Sequence, residues 1–417
     1  KDLLEHKSIF MERGPKNDIP EDIAEKIFDD IEFFANYGFN KCVAGDTVIY
    51  DSETGKPINI GKLIHVRHRA ETTLTYDEAD ETVKSGSISD VVWNGRKQVF
   101  KLKTESGREI TATANHPFLT SYGWRNLEDL DESAKIAVPH YLPIRGSKSL
   151  DSSEYDVLAQ LINSGSNWGL QHYVDLGIGE DNLNYPRVKA YQSLLEKIPE
   201  LQVAIIGKIP EIVYELNDSN LRTFLAYLWL LKGRINSTRS YLRYSTHSLT
   251  IARQLQHLFL RLGIAFKMCE HEHSLMTASQ YDLIIGDDYN IRLFYTMIHG
   301  TLYEIANDID KLHKYHDLDD EMRAIISYIG EPNEDHIEPE PRKWILWDRI
   351  ESIEHVGVEP TYDLTIEGTH NFVANDIIVH NSHASDYAVI TVQTAFLKRH
   401  YVEEYMTALL IVQRDDS

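Results

Sequence analysis

The chain has 417 residues, enough for two or three domains, and its 42% apolar and 26% charged residues are typical of a globular protein. A net charge of −23 disfavours a general nucleic-acid binder, which needs lysine and arginine to neutralise phosphates, and no apolar run is long enough for a membrane helix. Two cysteines, Cys42 and Cys269, exclude a disulfide framework and a four-cysteine zinc site. Since the N-terminus also lacks a secretory pattern, we expect a cytoplasmic protein.

The predicted elements change type several times along the chain. Residues 1–41 have the apolar spacing of helices, and residues 42–146 have the alternation of short strands. Helical periodicity mixed with strand-like runs fills 147–343 and ends in an acidic, proline-rich linker. Strands resume in 344–381, and 382–417 are helical again. This order predicts a domain inserted into a second domain that is itself inserted into a third.

The first β-rich region is predicted to be a series of short strands joined by turns. The run DVVW at 90–93 and the run VFKLKT at 99–104 alternate as strands do. Between them lies WNGRK at 93–97, whose Asn-Gly pair is typical of a turn. We therefore predict two separate strands on either side of a turn at this point.

Nucleophilic side chains lie at both boundaries of the β-rich region. Cys42 opens the region, and Asn381 followed by Ser382 closes it. The thiol can attack the carbonyl group just upstream to give a thioester, and the Ser382 hydroxyl can then accept the acyl group. The Asn381 side-chain amide can attack its own carbonyl group, forming a succinimide and cutting the chain. Each residue alone also has an ordinary structural explanation, because buried cysteines and Asn-Ser loops are common.

Four sequence blocks, in order, resemble those of inteins, the self-splicing segments of the Hedgehog/intein family. The blocks are CVAGDTVIYD at 42–51, GREITATANHPF at 107–118, TYDLTI through HNF at 361–372, and IVHNS at 378–382. The resemblance implies a mainly β splicing domain with the horseshoe-like fold of that family. It would be built from 42–146 and 344–381, and it would act in cis on its own flanking segments.

The resemblance also implies a catalytic set, with no metal and no cofactor. Its members are Cys42, Thr113, His116, Asp363, His370, His380, Asn381 and Ser382. His116 would donate a proton to the Cys42 amide nitrogen, and Thr113 would steady the tetrahedral oxyanion. Asp363 would serve as the base for the Ser382 hydroxyl.

Two histidines are assigned to the second junction in the same way. His380 would polarise the Asn381 carbonyl group, and His370 would activate the Asn381 side-chain nitrogen. Lys41, Asn115 and His383 lie next to members of this set. We expect ordinary structural roles for these three neighbours.

Residues 147–343 resemble a LAGLIDADG homing endonuclease, an α/β domain, in a degenerate form. Its two candidate motifs, at 158–166 and 225–233, carry Gly165 and Lys232 where active members have the acids that hold the catalytic metal ions. Loss of both carboxylates removes the oxygen ligands that Mg²⁺ requires. The alternative function, a site-specific homing DNA endonuclease, is therefore disfavoured. Because the candidate splicing residues lie outside it, we expect the insertion to be dispensable for splicing.

The two helical flanks resemble one protein when they are joined. Residues 1–41 followed by 382–417 are similar to the bacterial replicative DNA polymerase III alpha subunit, with the match centred on YGFNK and SHASDYA. The resemblance implies that splicing restores a polymerase, which would bind DNA and nucleotides, and it implies no membrane partner. A polymerase fragment carrying an inert insertion remains a further alternative.

Overall fold

The computed structural model describes most of the central part of the chain. The described residues are 10–11, 20, 25, 41–63, 72–164, 185–202, 207–271, 279–305, 309–329, 344–381 and 393–415. Most of the predicted N-terminal helical segment, Gly165, the proline-rich linker, Ser382 and His383 lie outside these residues. None of the helices in the described ranges has the length and apolar character needed to cross a membrane.

Residues 42–146 form strands, as their alternating pattern predicts. The strands are β1 (Val43–Ala44), β2 (Val48–Tyr50), β3 (Pro57–Asn59), β4 (Thr72–Asp77), β5 (Thr82–Thr104), β6 (Glu109–Ala112), β7 (Pro117–Thr120), β8 (Gly123–Asn126) and β9 (Lys135–Pro139). One short helix, α1 (Ile60–Leu63), follows β3. Because β5 runs without interruption through WNGRK, the turn predicted there is wrong.

Residues 147–343 contain helices around a small antiparallel sheet. The helices are α2 (Ser152–Ser164), α3 (Tyr185–Lys197), α4 (Asp218–Lys232), α5 (Leu249–Leu260), α6 (Asp288–Phe294), α7 (Gly300–Ile305) and α8 (Ile309–Ile329), with a π-helical turn at Tyr295–His299. The strands are β10 (Gly233–Asn236), β11 (Tyr241–Thr246), β12 (Lys267–His271) and β13 (Gln280–Ile285), in the order β10-β11-β13-β12. The two candidate endonuclease motifs begin on α2 and α4, which pack together through buried leucines.

The chain returns to the first region through three further strands. They are β14 (Ile345–Ile366), β15 (Asn371–Ala374) and β16 (Ile377–His380), and a last helix, α9 (Val402–Asp415), follows. The resulting ten-stranded sheet has the order β15-β16-β7-β9-β14-β1-β6-β5-β4, with β8 paired to β7. β14 pairs first with β9 and then with β5, and four register shifts along the β14–β5 pair bend both strands. The long strand β14 thus connects the two halves of the sheet.

One hydrophobic cluster extends from the sheet into the inserted region. Tyr50 of β2 and Ile378 of β16 belong to the mainly β region, whereas Leu158, Leu225 and Phe259 come from helices of the insertion, and all five are buried in the same cluster. Apolar surface removed from water on both sides of the boundary favours the docked arrangement. The insertion is therefore packed on the mainly β region and is not merely tethered to it.

A single buried amide joins β15 to β4. The Asn371 side chain accepts from the backbone N–H of Tyr76 at 2.8 Å and from the Thr75 hydroxyl at 3.0 Å. Its Nδ2 donates to the backbone oxygens of Tyr76 at 2.8 Å and Thr369 at 3.0 Å. Because Asn371 is fully buried, water cannot replace these partners.

Replacement of this amide should weaken the fold. Asn371→Ala leaves both backbone groups of Tyr76 without their partner, so we expect it to lower the free energy of unfolding by about 2–4 kcal/mol in urea denaturation. The matched control is Asn59→Ala, which removes an exposed donor to the Asp46 oxygen and should cost less than about 1 kcal/mol. Equal losses in the two variants would contradict the assigned role of Asn371.

Candidate functional site

The first junction is placed by a two-residue strand. β1 lies between β6 and β14, so that Val43 is opposite Ala112 on one side and Tyr362 on the other. This pairing buries the preceding residue, Cys42, completely. The next residues along the two neighbouring strands are Thr113 and Asp363, which the sequence also assigns to the site.

Thr113 contacts the peptide nitrogen that would leave. The backbone N–H of Cys42 donates to Thr113 Oγ1 at 3.1 Å, and the Thr113 N–H donates to the Cys42 carbonyl oxygen at 3.0 Å. These contacts hold Cys42 and Thr113 together from both sides. The Thr113 hydroxyl therefore contacts the nitrogen of the Lys41–Cys42 bond, and its predicted role, to steady the oxyanion, stays a prediction.

His116 is fully buried in the turn between β6 and β7. Burial is the main reason that its pKa falls from the ordinary 6.5 to about 3, and the nearby charges of His380 and Lys41 lower it further. The backbone of Lys41 lies against the ring and partly opposes this shift. At neutral pH the imidazole is therefore uncharged. Its pKa is affected by residues at both ends of the segment, since Lys41 precedes Cys42 and His380 precedes Asn381.

The Cys42 thiol meets two residues that the sequence did not identify. Asn94 Nδ2 donates to Sγ at 3.2 Å, and Lys97 Nζ lies 3.8 Å from it. Burial is the main reason that the pKa of Cys42 rises from 9.0 to about 11. The Lys97 charge and the Asn94 hydrogen bond lower it, while the Asp363 charge raises it. The thiol is thus held largely protonated, with a cation placed to favour its ionised form.

Asn94 and Lys97 reach the thiol because of a β-bulge in β5. Tyr362 pairs with Trp93 and Pro360 with Arg96, so two residues of β5, Asn94 and Gly95, face the single residue Thr361. Gly95 adopts φ of 78°, in the left-handed region that suits glycine, and its oxygen accepts from the Thr361 hydroxyl at 3.1 Å. The Asn-Gly pair that predicted a turn instead marks this bulge, and it was the signal that could have identified both residues.

Asp363 lies one residue beyond the β1 pairing on β14. Its side chain is buried, and its charge is close enough to raise the pKa of Cys42. The structure therefore brings Asp363 to the thiol, together with Thr113 from β6. Ser382, which the sequence assigns as its partner, lies outside the described residues.

The second junction is held by the loop between β14 and β15. Asn381 is fully buried; its N–H donates to the His370 oxygen at 3.0 Å, and its Nδ2 donates to the Ile366 oxygen at 3.2 Å. His380 Nδ1 lies 2.5 Å from the Asn381 carbonyl oxygen, the group that His380 was predicted to polarise. The main chain of His370, with φ of 56°, contacts Asn381, and the predicted role of its side chain, to activate the Asn381 nitrogen, stays a prediction.

The inserted region presents a basic cleft at the end of the second candidate motif. Its volume is about 350 Å³, and it is lined by Lys232, Arg234, Arg243, Ser245, Thr246, His247 and Gln280. Lys232 Nζ donates to the Asn163 oxygen at 3.2 Å, and burial lowers its pKa. Within the described ranges, no three His, Cys, Asp or Glu side chains are grouped as metal ligands.

Comparison with known proteins identifies a domain family that covers most of this chain. The family model for the intein splicing domain matches residues 48–381. The replicative DNA helicase DnaB of Synechocystis sp. is 26% identical over 84% of this chain and 50% of its own length, and that of Rhodothermus marinus is 27% identical over 84% and 46%. The chain spans about half the length of these curated relatives. A crystal structure of a DnaB intein from Synechocystis sp. is similar with a TM-score of 0.32 and 18% identity, over 82% of this chain and 99% of that one.

The low pKa of His116 makes stability depend on pH. The unfolded chain binds a proton at this residue below about pH 6.5, whereas the folded chain does so only near pH 3. The free energy of unfolding is therefore highest above pH 6.5 and decreases as the pH falls from 6.5 towards 3. Between pH 7 and pH 5, His116 alone should lower the free energy of unfolding by about 2 kcal/mol. Urea denaturation of His116→Gln should therefore show a pH dependence weaker by that amount. An equal pH dependence of the free energy of unfolding in the unmodified chain and in His116→Gln would contradict the lowered pKa of His116.

Lys97 should control the reactivity of the thiol. Its removal in Lys97→Met raises the pKa of Cys42 further, so iodoacetamide alkylation of Cys42 at neutral pH should slow about 3–10-fold, as followed by mass spectrometry of the modified peptide. Lys84→Met is the matched control, because Lys84 lies at the far end of β5 and pairs with Asp77. A similar slowing in both variants would refute a specific effect of Lys97.

Proposed function

This chain belongs to the intein family, and on that premise we propose that it is an unspliced precursor that excises residues 42–381 and joins Lys41 to Ser382. The observation that carries the proposal is the position of His116, whose pKa responds to Lys41 at one junction and to His380 at the other. The strand pairings agree, since Val43 pairs with Ala112 just before His116 and Val379 pairs with Phe118 just after it, so the two proposed junctions, about 340 residues apart in sequence, lie on either side of this residue. Such proximity converts reactions between distant chain segments into local ones.

The first proposed step turns the Lys41–Cys42 peptide bond into a thioester. Resonance makes a peptide bond a poor electrophile, so both its carbonyl carbon and its nitrogen need help. Cys42 Sγ attacks the carbonyl carbon, the C–N bond breaks, and the nitrogen takes up the proton that the thiol loses. Negative charge developing on the carbonyl oxygen raises the affinity of neutral His116 for a proton, so this residue can pass the proton to the nitrogen. Thr113 keeps that nitrogen in place.

The second proposed step moves the acyl group to Ser382. Its hydroxyl oxygen attacks the thioester carbon, the C–S bond breaks, and the Cys42 sulfur recovers a proton, leaving a branched ester. A hydroxyl is a much weaker nucleophile than a thiolate at neutral pH, so it needs a base, which is typically worth about 10²–10⁴-fold in rate. Asp363 is the proposed base, because its charge already reaches the thiol.

The third proposed step releases the segment at Asn381. Nδ2 attacks the carbonyl carbon of the same residue, the bond to Ser382 breaks, and the proton lost by the amide goes to the Ser382 amino group as the succinimide closes. The 2.5 Å contact between His380 and the Asn381 oxygen supports polarisation of this carbonyl. His370 is the proposed activator of Nδ2.

The freed amino group of Ser382 then displaces the ester oxygen, forming the Lys41–Ser382 peptide bond.

The inserted and flanking segments need separate proposals. We assign residues 147–343 to a degenerate LAGLIDADG endonuclease, in which Gly165 and Lys232 occupy the metal-binding positions. Endonuclease activity is the second candidate function, and only the basic cleft favours it. We assign the flanks to the alpha subunit of DNA polymerase III, because of YGFNK and SHASDYA. The spliced host would then act in the cytoplasm on DNA and nucleotides.

Mass spectrometry of the incubated full chain tests the proposed function. Splicing should yield an excised segment of 340 residues and a ligated product of 77 residues. Cys42→Ala removes the only nucleophile of the first step, so it should abolish ligation while Asn381 can still cleave. Ligated product from that variant, or no change of mass in the unmodified chain, would overturn the proposal. DNA cleavage with Mg²⁺ would instead support the second candidate.

A further inference from the structure

The turn that leads to the second junction contacts the inserted region. Asn375 and Asp376 join β15 to β16, with φ of 49° and 58°, the left-handed pair that suits a two-residue hairpin. Asp376 Oδ1 lies 2.8 Å from Nδ1 of His257, which belongs to α5 of the insertion. His257 is fully buried and Asp376 is 6% exposed. A helix of the insertion therefore reaches the tip of the splicing hairpin.

Aromatic rings keep water away from this contact. The Tyr50 ring stacks on the His257 imidazole, with centroids 3.5 Å apart and planes at 14°, and Tyr214 lies 5.7 Å away. Burial is the main reason that the pKa values of both tyrosines are raised, and the Asp376 charge raises them further. A carboxylate in such surroundings depends on its hydrogen-bonding partner, because burial of an uncompensated charge is costly.

The same hairpin carries the residues of the second junction. Asn375 accepts from the Val48 N–H at 2.7 Å and donates to the Glu109 oxygen at 2.8 Å, so the turn is anchored to the sheet beside the His257 contact. β16 then pairs with β7 at Val379 and ends at His380, next to Asn381. The four residues of β16 connect the turn to Asn381, which is five residue steps, or about 17 Å, from Asp376. A shift of the turn is passed along this short strand to the reacting amide.

We propose that the inserted domain positions the second splice junction, with His257 acting through Asp376 as a positioning residue for the cyclisation of Asn381. The proposal rests on the splicing function proposed above. It departs from the expectation that residues 147–343 are dispensable, because the contact joins a helix of the insertion to the strand that ends at the junction.

The full chain allows the two junction reactions to be measured separately. In an Asn381→Ala background, hydroxylamine cleavage reports thioester formation at Cys42, and in a Cys42→Ala background, chain cleavage reports cyclisation of Asn381. His257→Ala and Asp376→Ala should slow cyclisation about tenfold or more while leaving thioester formation within about threefold of the parent. Asp376→Asn keeps an acceptor for His257 and a residue that tolerates positive φ, so it should restore most of the cyclisation rate.

Gln256→Ala is the matched control. Gln256 is buried beside His257 on α5, but its side chain donates to the Ser106 and Phe266 oxygens and not to the hairpin. This variant should slow both reactions equally or not at all. Unchanged cyclisation in His257→Ala, or losses matching those of Gln256→Ala in both reactions, would overturn the positioning role. Absence of both reactions in the parent chain would instead overturn the proposed splicing function, and the positioning role with it.

Discussion

The backbone pairing of Val43 with two strands at once is the constraint on which the candidate site depends. Because β1 is bonded to both β6 and β14, the residue before it is surrounded by side chains from both neighbours. Thr113 and Asp363 are near Cys42 for this reason, although 71 residues separate the first pair and more than 300 the second. A strand of only two residues is held in this position because both of its neighbours, β6 and β14, are themselves paired with the long strand β5.

The electrostatics of the site keep both the thiol and the imidazole in their uncharged forms. Burial keeps the Cys42 thiol protonated and the His116 imidazole uncharged, so neither of the two groups proposed for the first step is in its most reactive form. Lys97 and Asn94 lower the pKa of the thiol and so favour its ionised form. Negative charge developing during the proposed reaction would raise the pKa of the imidazole and so favour its protonated form. Small displacements of the charged neighbours would change the pKa values of both groups, since electrostatic interactions are strong where water is excluded.

The sequence predicted well what depends on local pattern. The two β-rich regions and the helical interruption between them follow from the alternation and periodicity of apolar residues. Asn94 and Lys97 were missed because an Asn-Gly pair has the same local signal in a turn and in a bulge, and only the partner strand decides between them. The His257–Asp376 contact was equally invisible, because its residues are 119 positions apart and neither belongs to a motif.

The raised pKa of Cys42 also bears on how long the chain can keep its nucleophile. With a pKa of about 11, only about one thiol in 10⁴ is ionised at pH 7. Oxidation by peroxides proceeds through the thiolate and requires access, and the raised pKa and full burial of Cys42 restrict both. The burial that slows the proposed chemistry therefore also protects the thiol on which that chemistry depends.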